Sequence, residues 1–574
     1  MNNYPETDDF KLYQSGISFM DSIGLFKDVN LNNQFYSGDP WKGVDTKGLP
    51  ITSLPLIRQI INHEVSIVSG DDLAINYSID GIEDNDNSPE AEQKRQMAKM
   101  LSGFAMNLWE ALQEDSKNEQ ALLDGAISGD GLEYTSWNPS VDKGNGIKGE
   151  LDTELVDNVN YFPGNPNSAD VQSQPYIIIS FRKMVEDLKK EAKKNGVSVS
   201  EIDKIEADSD TQNQAGDMAK IELAKSGKCT CLLKMWKKDG KVWFNKSTRS
   251  AQITKGDIDS ELTLYPIAKF NWLRRKNCAY GITEVKGIIP NQVAINKLVS
   301  MVILAVMHIA IPKMVYDKTR MAQPTNLIGG AIGVDGTGQS IKNVIDYITP
   351  GQLSNDIYKI IDMLIEKTKE LLNATPAALG QLNMDNTSAL SLLQKASAVP
   401  FKPISRRYYQ FNEDKARIFM DFFIHKYIVE RTLTYKEQGI TKTFKFNGED
   451  YKDMIWKVKI DVGASTHWSQ VTTMATLDNL LQSKWITFPQ YLERLPKGTI
   501  PMTEKLLSDQ LNQDEERQLM FKLMADYVEG LPPEQQQAIR QMKPDEMEMA
   551  VKQMIMQPQP APQQGASFMP QNNA

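Results

Sequence analysis

The segment from Ile282 to Ile311 carries the longest apolar helical pattern in the sequence, and Pro312 closes it. As a helix rising ~1.5 Å per residue it would reach roughly 45 Å, longer than most globular helices. Its greasiest part, Leu298 to Ile311, is interrupted by His308 and falls short of the ~20 residues a bilayer requires. We therefore expect a helix buried on most of its sides in a soluble protein, with no membrane partner. The chain is large enough to bury it. Its 574 residues are 41% apolar and 24% charged, which supports two to four units with their own cores. The acidic N-terminus, Met1-Asn2-Asn3-Tyr4-Pro5-Glu6, lacks the basic and apolar regions of an export signal.

The rest of the chain alternates helices with compact strands. Residues 10 to 125 read mainly as helices: Leu54 to Ile61 opens one with Pro55 in its first turn, and Met97, Leu101, Phe104, Ala105, Leu108 and Leu112 recur three and four apart. The acidic stretch Asp80 to Pro89 reads as a solvated loop, because Asp84-Asn85-Asp86-Asn87 lacks the Gly and closing Glu of a calcium loop. Asp124 to Gly131 ends a helix where glycine can adopt the left-handed conformation. Strands follow at Leu132 to Trp137, Ile147 to Leu155 and Tyr176 to Phe181, and helical spacing returns at Arg182 to Lys194. Cys229 to Trp236 and Lys241 to Phe244 flank Asp239-Gly240, a strong hairpin signal. After Pro312 come strand-like segments (Lys313 to Tyr316, Gly329 to Ile348) and an amphipathic helix, Asn355 to Asn373. A polar break spans Ala377 to Thr387, helix resumes from Ser388 to Tyr427, and Trp456 to Val462 alternates like a strand. Beyond Gln470 the short helices are punctuated by prolines, and residues from Gln557 are expected to be disordered.

Little in the sequence points to catalysis. The four histidines, His63, His308, His425 and His467, stand apart from any nucleophile pattern or His-Glu-x-x-His pair. No phosphate-binding Gly-x-x-x-x-Gly-Lys-Ser/Thr loop occurs. Gly144-Asn145-Gly146-Ile147-Lys148-Gly149 matches the dinucleotide pattern literally, yet a strand follows where a helix should receive the pyrophosphate, so it reads as a hairpin turn. Cys229 and Cys231 share a strand face, and with only Cys278 left and no His pair nearby they read as small core residues. Three cysteines cannot make a disulfide framework. We expect no enzyme, no cofactor and no metal. The net charge of 64 − 74 = −10 argues against a surface that coats nucleic acid by charge alone.

Four segments stand out in order. Asn33-Gln34-Phe35-Tyr36-Ser37-Gly38-Asp39-Pro40-Trp41-Lys42-Gly43 is followed by Leu49-Pro50-Ile51. Asp124-Gly125-Ala126-Ile127-Ser128-Gly129-Asp130-Gly131 leads to Trp137. Asn158 to Pro166 comes next, and Tyr280-Gly281-Ile282-Thr283-Glu284-Val285 with Ile289 to Lys297 opens the apolar helix. Over roughly residues 20 to 470 this order resembles the portal proteins of tailed double-stranded DNA bacteriophages.

The resemblance implies an α+β portal fold in a ring-shaped homo-oligomer of twelve copies. Residues 1–180 and 312–467 would form the wing, 181–206 and 281–311 the two stem helices, and 207–280 a small β clip. Residues 376–387 would form a tunnel loop, 468–556 a helical crown and 557–574 a disordered tail. It implies a structural head-to-tail connector at one capsid vertex, a conduit for DNA packaging and ejection. Its partners would be duplex DNA, the terminase large subunit, major capsid and scaffolding proteins, and head-tail adaptors. Its locations would be the virion and, during assembly, the host cytoplasm. The site residues it implies are Gly380, Gln381, Leu382, Asn383, Met384, Asp385 and Asn386 facing DNA. Lys183, Lys189, Lys190 and Lys193 would touch phosphate, and the hairpin Lys237, Lys238, Asp239 and Gly240 would face terminase or adaptor. A channel without clustered cations suits sliding, since a duplex carries one charge per ~1.7 Å and a basic wall would hold it. The competing readings are a packaging enzyme (terminase ATPase or nuclease) and another capsid structural protein.

Overall fold

Thr7 caps the first helix, its hydroxyl accepting the Phe10 N–H at 3.3 Å. That helix, α1 (Asp8–Ser22), turns at Gly24 (φ 73°) into α2 (Leu25–Tyr36). The computed structural model describes residues 6–41, 45–70, 73–81, 86, 88–142, 144, 147–208, 227–310, 313–319, 345–348, 354–372, 374, 398–437, 440–462 and 467–495. They fall in two units, residues 1–435 with 443–469 and residues 436–442 with 470–574.

In the first unit α3 (Leu56–Ser69) precedes β1 (Leu73–Ile79). Ser88 then caps α4 (Pro89–Ala111), with Pro89 at its first position, and α5 (Glu114–Ser128) ends at Gly129, φ 100°. Two antiparallel sheets follow. β2 (Asp130–Asp142) lies between β3 (Lys148–Leu155) and β9 (Ile267–Asn271), with Asp130 opposite Asn271. The larger sheet orders β4 (Tyr161–Pro163), β5 (Tyr176–Met184), β6 (Lys228–Lys238), β7 (Lys241–Ser247) and β8 (Ile258–Asp259). Between β5 and β6 the chain forms α6 (Val185–Lys194) and the single turn α7 (Val199–Ile202). The long helix α8 (Val285–Ala310) leads to β10 (Lys313–Tyr316), which pairs with β11 (Ile345–Ile348). After α9 (Asn355–Leu371) comes α10 (Lys402–Lys426), then β12 (Arg431–Glu437) paired with β13 (Ile440–Phe446). β14 (Trp456–Val462) closes a ladder with β1.

The core gathers on α10. Phe411, Phe419 and Phe423 are buried, with Phe411 5.3 Å from Phe270 on β9 and Phe419 6.2 Å from Trp109 on α4. A smaller core joins Leu188 and Ala192 of α6 to Cys229, Cys231, Ala251 and Ile253. The second unit takes in most of α11 (His467–Gln482) and α12 (Phe488–Glu493). Thr487 and Gln490 form a capping box there, and the Tyr491 hydroxyl donates to Asp478 at 2.7 Å.

Several expectations change. A stem helix over 181–206 is replaced by the end of β5, by α6 and by α7. Residues up to Met184 pair along β6, and the chain turns back at Gly196, φ 73°. Within 207–280 the described strands share sheets with earlier ones: β6 joins β5, and β9 joins β2. β1, β12 and β13 were not anticipated. The alternating Leu73-Ala74-Ile75-Asn76-Tyr77 does bury Ile75 and Tyr77. The hairpin at Asp239-Gly240 forms as expected, both residues at positive φ (52° and 76°), the pairing a two-residue type I′ turn demands. Gly144 lies in the β2–β3 connection, not before a helix.

Candidate functional site

Three of the four segments converge on one buried carboxylate. Asp130 accepts from the Gly281 N–H at 2.9 Å and from the Asn271 and Asn158 side-chain amides at 2.6 and 3.4 Å, and pairs with Lys269 at 3.1 Å. Glycine is obligatory where the two chain segments cross, because a Cβ on Gly281 would stand 2.2 Å from the Gly129 carbonyl oxygen. The Tyr280 hydroxyl donates to the Tyr161 carbonyl at 2.7 Å. This node fixes the point from which α8 departs.

The first segment meets α8 further along. Gln292, Asn296 and Ser300 lie four apart, hence on one helix face. Pro55 offers no capping side chain to α3. Instead the Gln292 Oε1 accepts the Leu56 and Ile57 N–H groups at 3.1 and 3.3 Å, while its Nε2 donates to the Leu54 carbonyl at 2.6 Å. Asn296 Oδ1 accepts the Leu54 N–H, and the Ser300 and Thr52 hydroxyls are 2.8 Å apart. The Trp41 indole N–H donates to the Thr52 carbonyl at 2.6 Å, tying the aromatic segment to the same strip.

Beyond Ser300 the helix loses its cover. Met301 and Met307 are each 51% exposed, Val306 48% and Ile309 42%. Only 17% of its most apolar 18-residue stretch is buried. Two expectations are corrected here. The helix is not buried on most sides within one chain. By length and composition alone it would also be long and apolar enough to cross a bilayer. α9, packed beside it with Asn291 Nδ2 donating to Thr368 Oγ1 at 3.1 Å, also exposes Ile360, Met363 and Leu371.

The anticipated cations scatter. Lys183 lies on β5 opposite Cys229, not on a helix. Lys190 pairs loosely with Asp187 at 3.5 Å on α6, and Lys193 is exposed away from the buried Leu188 and Ala192. Lys189 is half-buried on the same helix. At the hairpin Lys237 Nζ donates to the Gln172 carbonyl at 3.1 Å and lies 5.0 Å from the Tyr265 ring centre, so it is tied to the sheet. Lys238 lies over Trp243 at 5.4 Å, leaving Asp239 and Gly240 as the projecting tip. Gly380 to Asn386 fall outside the described residues.

Sequence reasoning missed the most deeply buried charges. Lys415 on α10 is fully buried between Glu114 and Glu133, 2.8 Å from Glu133, 3.0 Å from Asn118 Oδ1 and 4.5 Å from the Trp109 ring centre. Burial outweighs the Lys415 attraction at Glu133 and pushes its carboxyl up to about 7. Glu114 also resists burial, yet Lys415 and Thr153 hold it below its usual range. Among the described residues no group of three His, Cys, Asp or Glu side chains is placed to hold a metal ion. What the arrangement can do is mechanical: it presents one long, half-uncovered apolar helix.

No curated protein matches the chain. The profile of the Phage P22-like portal protein family matches residues 176–573, more than half of its length. That stretch takes in α8, its polar seam and its uncovered end, and the chain belongs to the P22-like phage portal protein family, structural head-to-tail connectors for DNA packaging at a capsid vertex.

Proposed function

We propose that twelve copies of this chain close head to tail into a ring whose channel carries duplex DNA inward during packaging and outward during ejection. The observation that carries this is the uncovered apolar end of α8, which a single chain leaves in water. A sister copy covers it better than lipid would. The same helix commits Gln292, Asn296 and Ser300 to α3 and its lead-in, and it bears the exposed Lys297 and His308. Identical subunits meeting through unlike patches form a closed ring when the rotation between them divides a full turn.

In this reading α8 is the stem helix within 281–311. The sheet residues of 207–280 act as the clip, with Asp239-Gly240 turned towards the terminase large subunit and later the adaptors. Residues 1–180 and 312–467 form the wing against major capsid and scaffolding proteins. Residues 376–387, which contain no Lys or Arg, reach the DNA, and 468–556 form the crown. Assembly takes place in the host cytoplasm. The protein does no chemistry of its own, and an ATPase assay is expected to show no turnover. Native mass measurement of the purified chain is expected to find about 780 kDa, twelve chains of 64.7 kDa. A stable 64.7 kDa species at micromolar concentration would overturn the ring.

A further inference from the structure

The connection from β9 to α8 carries three consecutive cations, Arg274, Arg275 and Lys276, in a chain of net charge −10. All three are exposed, and none has a carboxylate partner among the described residues. Exposed cations are usually solvated and idle; these sit on a fixed platform. The loop is pinched at its neck by Leu273 and Ile282, whose backbones exchange hydrogen bonds of 3.1 and 2.9 Å. Just behind its tip Cys278, Ala279 and Tyr280 are buried, and Asn277 takes a left-handed conformation, φ 51°.

The opposite wall is equally fixed. The buried side chain of Gln174 accepts the Asn165 N–H at 2.8 Å and donates to the Asn165, Ser168 and Asp170 carbonyls at 2.9–3.2 Å, which holds the 165–170 loop in one shape. The Ala279 N–H bonds the Pro166 carbonyl at 2.7 Å and joins the two walls. Between them lies an open cavity of about 480 Å³ lined by the three cations, Asn167, Ser168 and Asn277, and by no carboxylate. Arg274 also borders the adjoining cavity, where Asp170 and Asp414 lie with Arg407 and Arg417. There, burial first and the nearby Arg274 charge second push the Arg407 guanidinium below its usual range.

We propose that Arg274, Arg275 and Lys276, with Asn167, Ser168 and Asn277, form a preorganised phosphate-binding site. Guanidinium forks match the oxygen pairs of a phosphate, amides and hydroxyl supply further donors, and rigid walls reduce the entropy lost on binding. The phosphate comes from a duplex backbone or from free inorganic phosphate. The duplex source rests on the conduit reading above; the phosphate chemistry does not.

The test uses the full-length protein in three forms. These are wild type, a site variant (Arg274→Ala, Arg275→Ala, Lys276→Ala) and a charge-matched control (Lys27→Ala, Lys255→Ala, Lys452→Ala). Duplex binding is followed by fluorescence anisotropy across chloride concentrations, and thermal stability with and without inorganic phosphate. Removing a single cation–phosphate pairing weakens duplex binding roughly eightfold at 0.1 M salt and flattens the salt dependence. A site variant that shows this weakening beyond the control supports the site with the backbone as its source. Loss of only the phosphate-dependent thermal shift supports it with free phosphate as the source. A site variant matching the control in both assays overturns the proposal. Arg274→Lys with Arg275→Lys, which keeps the charge but loses the forks, is expected to retain most of the salt dependence while weakening binding less than the alanine variant. Native mass on the same samples reports the ring separately, so the two ideas fail independently.

Discussion

Glu64 is buried on α3 beside Glu284, and burial first, then the Glu284 charge, pushes its carboxyl up to about 9. The folded state therefore binds a proton there that the unfolded chain releases near 4.5. That contribution is complete below 4.5 and drains away as pH rises towards 9. Glu64→Gln, which cannot ionise, is expected to melt like wild type at pH 4.5. At pH 8 it should be more stable by roughly 1–4 kcal/mol, read from melting temperature against pH; parallel curves would refute the assignment. Glu133 acts in the same direction between 4.5 and about 7. Its partner Lys415 is the sharper probe, because removing it strands two buried carboxylates. Lys415→Met is expected to cost about 3–5 kcal/mol in chemical denaturation. None of this could be read from residues 412–415, Asn-Glu-Asp-Lys, which look like any solvated helix face. A charge is buried by what the distant strand β2 and helix α5 bring to it, and local sequence carries no trace of them.

At the level of elements, the signals that survived were those with a local cause. Asp239-Gly240 supplies two positive φ values, Gly129 a left-handed helix end, and α8 its long, mainly apolar pattern. Arg182 to Met184 had helical spacing but extend β5, because the neighbouring Cys229 to Lys228 edge of β6 offers them a ladder. β1 and β14, nearly four hundred residues apart, each look weak alone and become strands only together. The seam between α8 and α3 lies between these cases. Gln292, Asn296 and Ser300 at intervals of four are visible in the sequence as a polar stripe on a greasy helix, but their target was not. Because Gln292 replaces the missing cap of α3, Gln292→Leu should leave two helix-terminal N–H groups unpaired and lower stability by about 1–2 kcal/mol. The faster amide exchange expected at Leu56 and Ile57 would distinguish this from a loss spread over the whole core.

For the whole molecule, the question is whether covering α8 and passing DNA are separate tasks. Met301 and Met307 are half exposed at the uncovered end of α8, so Met301→Glu with Met307→Glu should leave the chain folded by circular dichroism yet shift its native mass from the ring towards the monomer. Residues 377–387 pose the opposite case. They contain no cation, so their removal takes away nothing that would hold phosphate electrostatically. Deletion of 377–387 is therefore expected to give rings of unchanged mass that fill poorly or leak DNA, measured as packaged genome per particle. Were the deleted rings to fill and retain DNA normally, the contact with the moving duplex would have to lie elsewhere on the wall. The basic loop at Arg274 to Lys276 would then be the first surface to examine, since a cation-free loop that does not touch DNA leaves retention to sites that bind it.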